Sequence, residues 1–322
     1  MRCLVTGVAG FIGSHLAQRL LADGHQVCGI DAFIEYYPRQ IKERNLAGLR
    51  SWKNFIFVEG NLLDVCLFPL LEDVEWIFHQ AAQAGVRTSW GHEFGRYVEC
   101  NVLATQRLLE VAMRVKSLRR FVFASSSSVY GDAIALPVSE TASMPQPLSP
   151  YGVTKLAAEH LCALYQRNFD VPTVSLRYFT VYGPGQRPDM AFHSFCKAIL
   201  EHQPIRIFGD GYQTRDFTYV SDIVEANIRA ASVDAAVGQI FNIAGGSRAT
   251  MHNIIAALRE MSDLPVQVEF IEKQHGDVRD TFADTTQARR ILGYEPLVPL
   301  HEGLAREFAY ITSLYEPAFN NP

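Results

Sequence analysis

Residues 6–13, TGVAGFIG, decide how this chain folds. The strand-like run RCLVT (2–6) precedes them and the helical-period run FIGSHLAQRLLADG (11–24) follows, so Gly7, Gly10 and Gly13 fall where a strand turns into a helix. Such a turn favours residues without a Cβ, and it leaves amide donors free at a helix N-terminus, where negative charge is stabilised. The backbone can then approach a pyrophosphate closely, which predicts a dinucleotide site at this first junction.

The pattern continues outward. Apolar, β-rich runs at QVCGID (26–31), FIFVEG (55–60), EWIFHQAA (75–82) and RFVFAS (120–125) alternate with segments of helical period, among them YVECNVLATQRLLEVAMRVK (97–116). That alternation predicts an α/β fold, a Rossmann-type doubly wound parallel sheet with helices on both faces. Gly24 is placed to end the first helix in a left-handed cap. A further helix is expected from Tyr151 to about Phe169, and TVSLRYF (173–179) returns a strand to the sheet.

After Arg177 the texture becomes turn-rich, with short elements at IRIFGDG (205–211), MHNIIAALREM (251–261) and VQVEFI (266–271). We expect a dinucleotide-binding domain over 1–177 and a smaller, interleaved α+β substrate-binding domain over 178–322. A strand near 239–244, QIFNIA, should return to the first domain.

Composition narrows the function classes. The chain has 322 residues, 48% of them hydrophobic, with 29 Lys+Arg against 34 Asp+Glu for a formal charge of -5. No basic excess points to nucleic acid, and no apolar run is long enough to span a bilayer. The opening MRCLVTG already reads as strand and turn, so a cytoplasmic protein without a leader is expected. The six cysteines lack C-x-x-C or Cys/His ligand spacing, which predicts buried thiols and no metal site.

The second strand ends at Asp31, 18 residues beyond Gly13. A carboxylate there accepts hydrogen bonds from adenosine ribose hydroxyls and repels a 2′-phosphate, and neither Ala32 nor Phe33 supplies a compensating cation. NAD is therefore expected over NADP. The G-x-x-G-x-x-G spacing resembles that of the short-chain dehydrogenase/reductases.

ASSSSVYGD (124–132) places four hydroxyls at the end of a predicted strand, and SPYGVTK (149–155) follows with Tyr151 and Lys155 on one helix face. Oxidising a sugar hydroxyl requires a base beside a hydride acceptor, and a phenol is too weakly acidic unaided. A unit charge about 5 Å away is worth roughly 3 kcal/mol at an effective dielectric near 20. The Lys155 ammonium and a cationic nicotinamide together are expected to bring Tyr151 toward neutrality.

With TGVAGFIGSHL, SSSSVYG, SPYGVTKLAAE, RDFTYVSDIV (215–224) and GDVRDTFAD (276–284), nearly the whole chain resembles the extended short-chain dehydrogenase/reductases that act on nucleotide sugars. The resemblance implies that Ser126 hydrogen-bonds the reacting sugar hydroxyl and that Asn101 supports the cofactor region. It implies a cofactor site of Gly7, Gly10, Phe11, Ile12, Gly13, Asp31, Asn61, Leu62, Ala81, Asn101, Tyr151, Lys155 and Tyr178. Asn61 stands where the family carries an acid near adenine.

Dehydratases of this family resemble one another in an Asp-Glu pair after the first hydroxyl residue, and decarboxylases in a glutamate at the second position. Here these are Ser127 and Ser128. Hydroxyls in place of acids favour plain C4 epimerisation of a UDP-sugar. The motifs AAQAGVRTSW (81–90), EYYPRQIKERNL (35–46) and RYFTVYGPGQRPDM (177–190) look most like UDP-glucuronate 4-epimerases.

That likeness puts Arg187 on the uronate carboxylate, with Arg87 either helping it or touching cofactor phosphates, and Arg215 and Arg279 on the substrate pyrophosphate. Thr180 stands where galactose-type epimerases often carry asparagine. The alternatives are a UDP-glucose 4-epimerase, a UDP-glucuronate decarboxylase, or a non-catalytic NAD-binding regulatory module. The family further implies a homodimer through helices near 96–116 and 151–169.

Overall fold

The computed structural model describes residues 1–133 and 135–319. The expected end of the second domain at 320–322 lies outside the described residues. Among the described residues twelve strands are numbered in chain order: β1 (Arg2–Thr6), β2 (Gln26–Asp31), β3 (Phe55–Glu59), β4 (Trp76–His79), β5 (Arg120–Ser126), β6 (Thr173–Tyr178), β7 (Val181–Tyr182), β8 (Ile205–Phe208), β9 (Thr214–Tyr219), β10 (Ile240–Ile243), β11 (Ser247–Thr250) and β12 (Val268–Ile271).

A seven-stranded parallel sheet runs in the order β10-β6-β5-β4-β1-β2-β3. It is doubly wound. Neighbouring residues of its central strands face opposite cores: Val5, Phe78 and Val122 join one buried cluster, while Leu4, Ile77 and Phe121 join the other. Burial on both faces explains why these strands read as continuous apolar runs.

Strand order reverses between β1 and β4, and a crevice opens at their C-terminal ends. Gly7 and Ala81 stand there, just beyond each strand. Two smaller sheets, β11-β9-β7 and β12-β8, complete the fold, and β7, β8 and β9 contribute Val181, Phe208 and Arg215 to a chamber beside this crevice.

The first helix, Phe11–Ala22, ends as its sequence predicts. Gly24 adopts φ +82°, and the amides of Gly24 and His25 reach the carbonyls of Leu21 and Leu20. The segment 97–116 departs from a single regular helix. Phe94–Tyr97 leads into a π-helical stretch, Val98–Leu103, before the α-helix resumes over Ala104–Ala112. The Asn101 carbonyl takes the Thr105 hydroxyl at 2.7 Å, a side-chain bond the hydrophobic period does not report.

Cys3, Cys28, Cys162 and Cys196 are buried, but Cys66 is exposed and Cys100 partly so. Cys66 follows the turn after β3, outside the packed layers. Among the described residues no helix is long and apolar enough to cross a membrane, and no cluster of three or more His, Cys, Asp or Glu could hold a metal ion.

Candidate active site

The glycines of the first turn are held by near contacts. A Cβ on Gly7 (φ +68°) would stand 2.8 Å from the Ala81 backbone, and one on Gly13 would stand 2.2 Å from the Gly7 carbonyl oxygen. Gly10, Phe11 and Ile12 complete the turn. With Asp31, Asn61, Leu62, Ala81, Tyr151, Lys155 and Tyr178 they line one elongated cleft.

The cleft has the shape and donor set a dinucleotide needs: a side-chain-free turn at a helix N-terminus, and a carboxylate at the end of β2. Asp31 accepts the amides of Ala9 at 3.1 Å and Phe33 at 2.8 Å, so Oδ2 ties the glycine turn and Oδ1 the loop after β2. NAD fits these residues.

One element of the cofactor argument is corrected by the structure. A cation does stand by Asp31: Lys42, from the helix Arg39–Ala47, brings Nζ to 3.9 Å from Oδ1 and donates to the Ile34 carbonyl at 3.1 Å. It is set eleven positions beyond Asp31, not at Ala32 or Phe33.

Asn101 lies beneath the cleft, fully engaged by protein. Its Oδ1 accepts the Gln83 amide at 2.7 Å, while Nδ2 donates to the Gln83 carbonyl and the Thr154 hydroxyl, each at 3.0 Å. It thereby ties a cleft-lining segment to the helix Pro150–Phe169. Asn61 caps its own turn through the Leu63 amide at 3.0 Å, and the Tyr178 hydroxyl bonds Gln80 and Asn227 at 3.2 and 3.0 Å.

The Pro150–Phe169 helix starts at Ser149, whose hydroxyl accepts the Gly152 amide, and it presents Tyr151 and Lys155 to the end of β5. Burial pushes Tyr151 up, while a hydrogen bond to Ser126 and the charge of Arg187 pull it back. Lys155 donates to the Ala124 carbonyl at 2.8 Å, and burial lowers it to about 8. Among the protein's own groups burial is the largest influence on both residues, and the expected pull on Tyr151 is one that Lys155 exerts together with a cationic nicotinamide.

The four serines divide. Ser125 is buried and donates to Glu159 at 2.7 Å. Ser126 accepts the Ser128 amide at 3.2 Å, and Ser126, Ser127 and Ser128 line a second chamber of about 830 Å³ with Tyr151, Thr180 and Arg187. Phe11, Ile12, Ser125, Tyr151, Tyr178 and Arg187 border both spaces, so cleft and chamber meet at the tyrosine.

Arg87, Arg187, Arg215 and Arg279 all reach this chamber, each already partnered. Arg87 forks onto Asp277, with Nη2 at 2.8 Å, and lies over the Phe208 ring at 3.8 Å. Arg187 forks onto Asp189 at 3.0 Å through Nε and Nη2. Arg215 donates to the carbonyls of Thr214, Val278 and Arg279 at 2.8–3.1 Å, and burial lowers it. Arg279 pairs with Asp210 at 2.8 Å at the rim.

Sequence reasoning missed Lys42, Tyr36, Asp189 and the buried Glu159–Arg177 pair behind the serines, where Arg177 Nε meets Glu159 at 3.0 Å and Nη1 meets the Tyr130 hydroxyl at 2.7 Å. Asp189 carried a signal, standing two residues from Arg187 within RPDM.

Comparison with known proteins gives concordant results. A family profile described as NAD dependent epimerase/dehydratase family matches residues 3–244. An uncharacterised UDP-glucose epimerase of Bacillus subtilis is 48% identical over 317 residues, covering 98% of this chain and 99% of that protein. A UDP-glucuronate 4-epimerase of Thermodesulfobacterium geofontis is 37% identical, covering 94% of each. The crystal structure of UDP-glucuronic acid 4-epimerase from Bacillus cereus, in complex with UDP-glucuronic acid and NAD, superposes with a TM-score of 0.95 at 46% identity, over 98% of this chain and 100% of that one.

Proposed function

This chain belongs to the NAD dependent epimerase/dehydratase family, and from that premise we propose that it catalyses NAD-dependent C4 epimerisation of UDP-glucuronate to UDP-galacturonate. The observation that carries the reading is the single chamber in which Arg187 shares a wall with Ser126–Ser128, Thr180 and Tyr151, where the dinucleotide cleft opens.

The chemistry NAD supplies when bound is reversible acceptance of the C4 hydride, so none is consumed. As the phenolate, Tyr151 would accept the proton of the 4-hydroxyl at its oxygen and later, as the phenol, return it. Ser126, which shares the chamber wall with Tyr151, orients the sugar hydroxyl toward that oxygen. Lys155 keeps a cation beneath the tyrosine.

A 4-keto uronate is a β-keto acid prone to lose carbon dioxide. Arg187 and the hydroxyls of Ser127, Ser128 and Thr180 hold its carboxylate in hydrogen bonds, and the absence of an acid from Ser127 and Ser128 withholds the proton that decarboxylation needs. Arg87, Arg215 and Arg279 anchor the UDP pyrophosphate while the keto sugar turns. To do so, Arg87 and Arg279 exchange Asp277 and Asp210 for phosphate oxygens.

UDP-glucose is the second substrate reading, favoured by the 48% identical Bacillus subtilis relative and by the pairing of Arg187 with Asp189, which reduces its surplus charge. The protein works in the cytoplasm as a homodimer. Exposed Leu103, Val153 and Leu164, on the helical segments 98–112 and 150–169, support that pairing.

Proton NMR of the purified protein with UDP-glucuronate tests the reading. Sugar H4 couplings should change from axial toward equatorial, with no carbon dioxide and no net NADH. Rapid formation of a UDP-pentose would replace epimerisation with decarboxylation, and turnover of UDP-glucose alone would discard the carboxylate argument.

A further inference from the structure

Tyr36 stands on the loop between β2 and the helix Arg39–Ala47, on the adenosine side of the cleft, yet it also borders the substrate chamber. Its hydroxyl donates to Asp189 Oδ2 at 3.1 Å, the same carboxylate that receives Arg187 through Nε and Nη2 at 3.0 Å. The Arg187 guanidinium lies 5.8 Å from the Tyr36 ring centroid.

The hydroxyl has a prepared place. Gly85 adopts φ +108°, and a Cβ there would stand 2.2 Å from the Tyr36 oxygen and 2.7 Å from Thr88 Oγ1. Thr88 Oγ1 lies 3.5 Å from that oxygen and 2.7 Å from the Tyr97 hydroxyl, which in turn reaches the carbonyls of Ala84 and Gly85 at 2.9 and 2.8 Å. Any larger residue at 85 would displace the hydroxyl that holds Asp189.

Asp189 and a bound sugar carboxylate compete for one guanidinium. A hydroxyl donating to Asp189 draws off part of its negative charge, so more of the positive charge of Arg187 remains for the sugar, and the fork fixes which edge stays open. We infer that Tyr36 is a positioning residue that, through Asp189, sets how strongly Arg187 attracts an acidic sugar; this rests on the uronate reading above. Burial would raise the Asp189 carboxyl, but Arg187 and then Tyr36 outweigh it and hold it below the usual range.

Calorimetric titration of the NAD-loaded protein with UDP-glucuronate and UDP-glucose, in a Tyr151→Phe background that slows turnover, gives the affinity ratio of the two sugars. Tyr36→Phe should lower that ratio roughly tenfold, the scale of one hydrogen bond to a charged group. In an Asp189→Ala background the same change should have no further effect on the ratio.

An unchanged ratio in Tyr36→Phe, an equal loss for both sugars, or the same drop without Asp189 would overturn the inference and leave the uronate reading standing. Equal affinities for the two sugars in the Tyr151→Phe parent would overturn both.

Discussion

Ser125 donates its hydroxyl to Glu159 at 2.7 Å, binding the first residue of the serine run to the helix that carries Tyr151 and Lys155. Glu159 also receives Arg177, so Ser125 completes a buried polar cluster, while Ser126 faces the chamber. The two neighbours should therefore fail differently. Ser125→Ala leaves a carboxylate oxygen short of a donor and should cost about 1–3 kcal/mol in urea unfolding. Ser126→Ala should instead lower kcat by roughly 10–100-fold, the equivalent of about 1.4–2.8 kcal/mol, with only the smaller midpoint shift that losing the Ser128 amide bond brings. Equal effects on both readouts would contradict the division.

Tyr151 meets the chamber where it joins the cleft, and burial opposes its ionisation. If its phenolic oxygen moves the proton, Tyr151→Phe should reduce kcat by about 10²–10⁴-fold, the range for a positioned acid–base group. Dinucleotide titration should still saturate, because the turn at Gly7–Gly13 is untouched. Turnover within about tenfold of wild type would exclude this role.

The turn at Gly7, Gly10 and Gly13 was legible because a strand turning into a helix is a local pattern: Gly10 and Gly13 are demanded by the Gly7 carbonyl, although Gly7 itself is demanded by Ala81 beyond β4. Tyr151 and Lys155 were legible because four residues make one helical turn. Partners across the fold were not. Lys42 meets Asp31 only when the Arg39–Ala47 helix packs back on β2, and Tyr36 meets Asp189 across 153 positions. Arginines could be counted in the sequence, but their pairing with Asp277, Asp189 and Asp210 depends on how two parts of the chain close on each other. The π-helical stretch at 98–103 escaped because the apolar period passes through it with little change.

Lys42 bears on cofactor choice. At 3.9 Å from Asp31 it partly offsets the carboxylate that would repel a 2′-phosphate. At that separation and an effective dielectric near 20 the pair interacts by about 4 kcal/mol before solvent screening. Lys42→Met should therefore widen the preference for NAD over NADP, and Asp31→Asn should narrow it. Calorimetric titration with each dinucleotide reads both directions. A narrower preference in Lys42→Met would mean that Lys42 does not offset Asp31.

Asp216 follows Arg215 on β9 and is fully buried, and burial raises it from 3.8 to about 6 against hydrogen bonds from the amides of Ala283, Gly246 and Ser247. Between these values the folded chain holds a proton that the unfolded chain has lost, so this group's contribution to stability falls as pH rises and its full cost is present above about 6. The interval corresponds to about 3 kcal/mol. Asp216→Asn keeps a carbonyl acceptor for the Ala283 amide and has no proton to lose. The unfolding free energy of wild type minus that of Asp216→Asn should therefore decrease by about 2.4 kcal/mol between pH about 4 and about 7, read by urea unfolding at each pH. Parallel profiles would mean that the carboxyl ionises as easily inside the protein as in water, and the burial argument at Asp216 would fail.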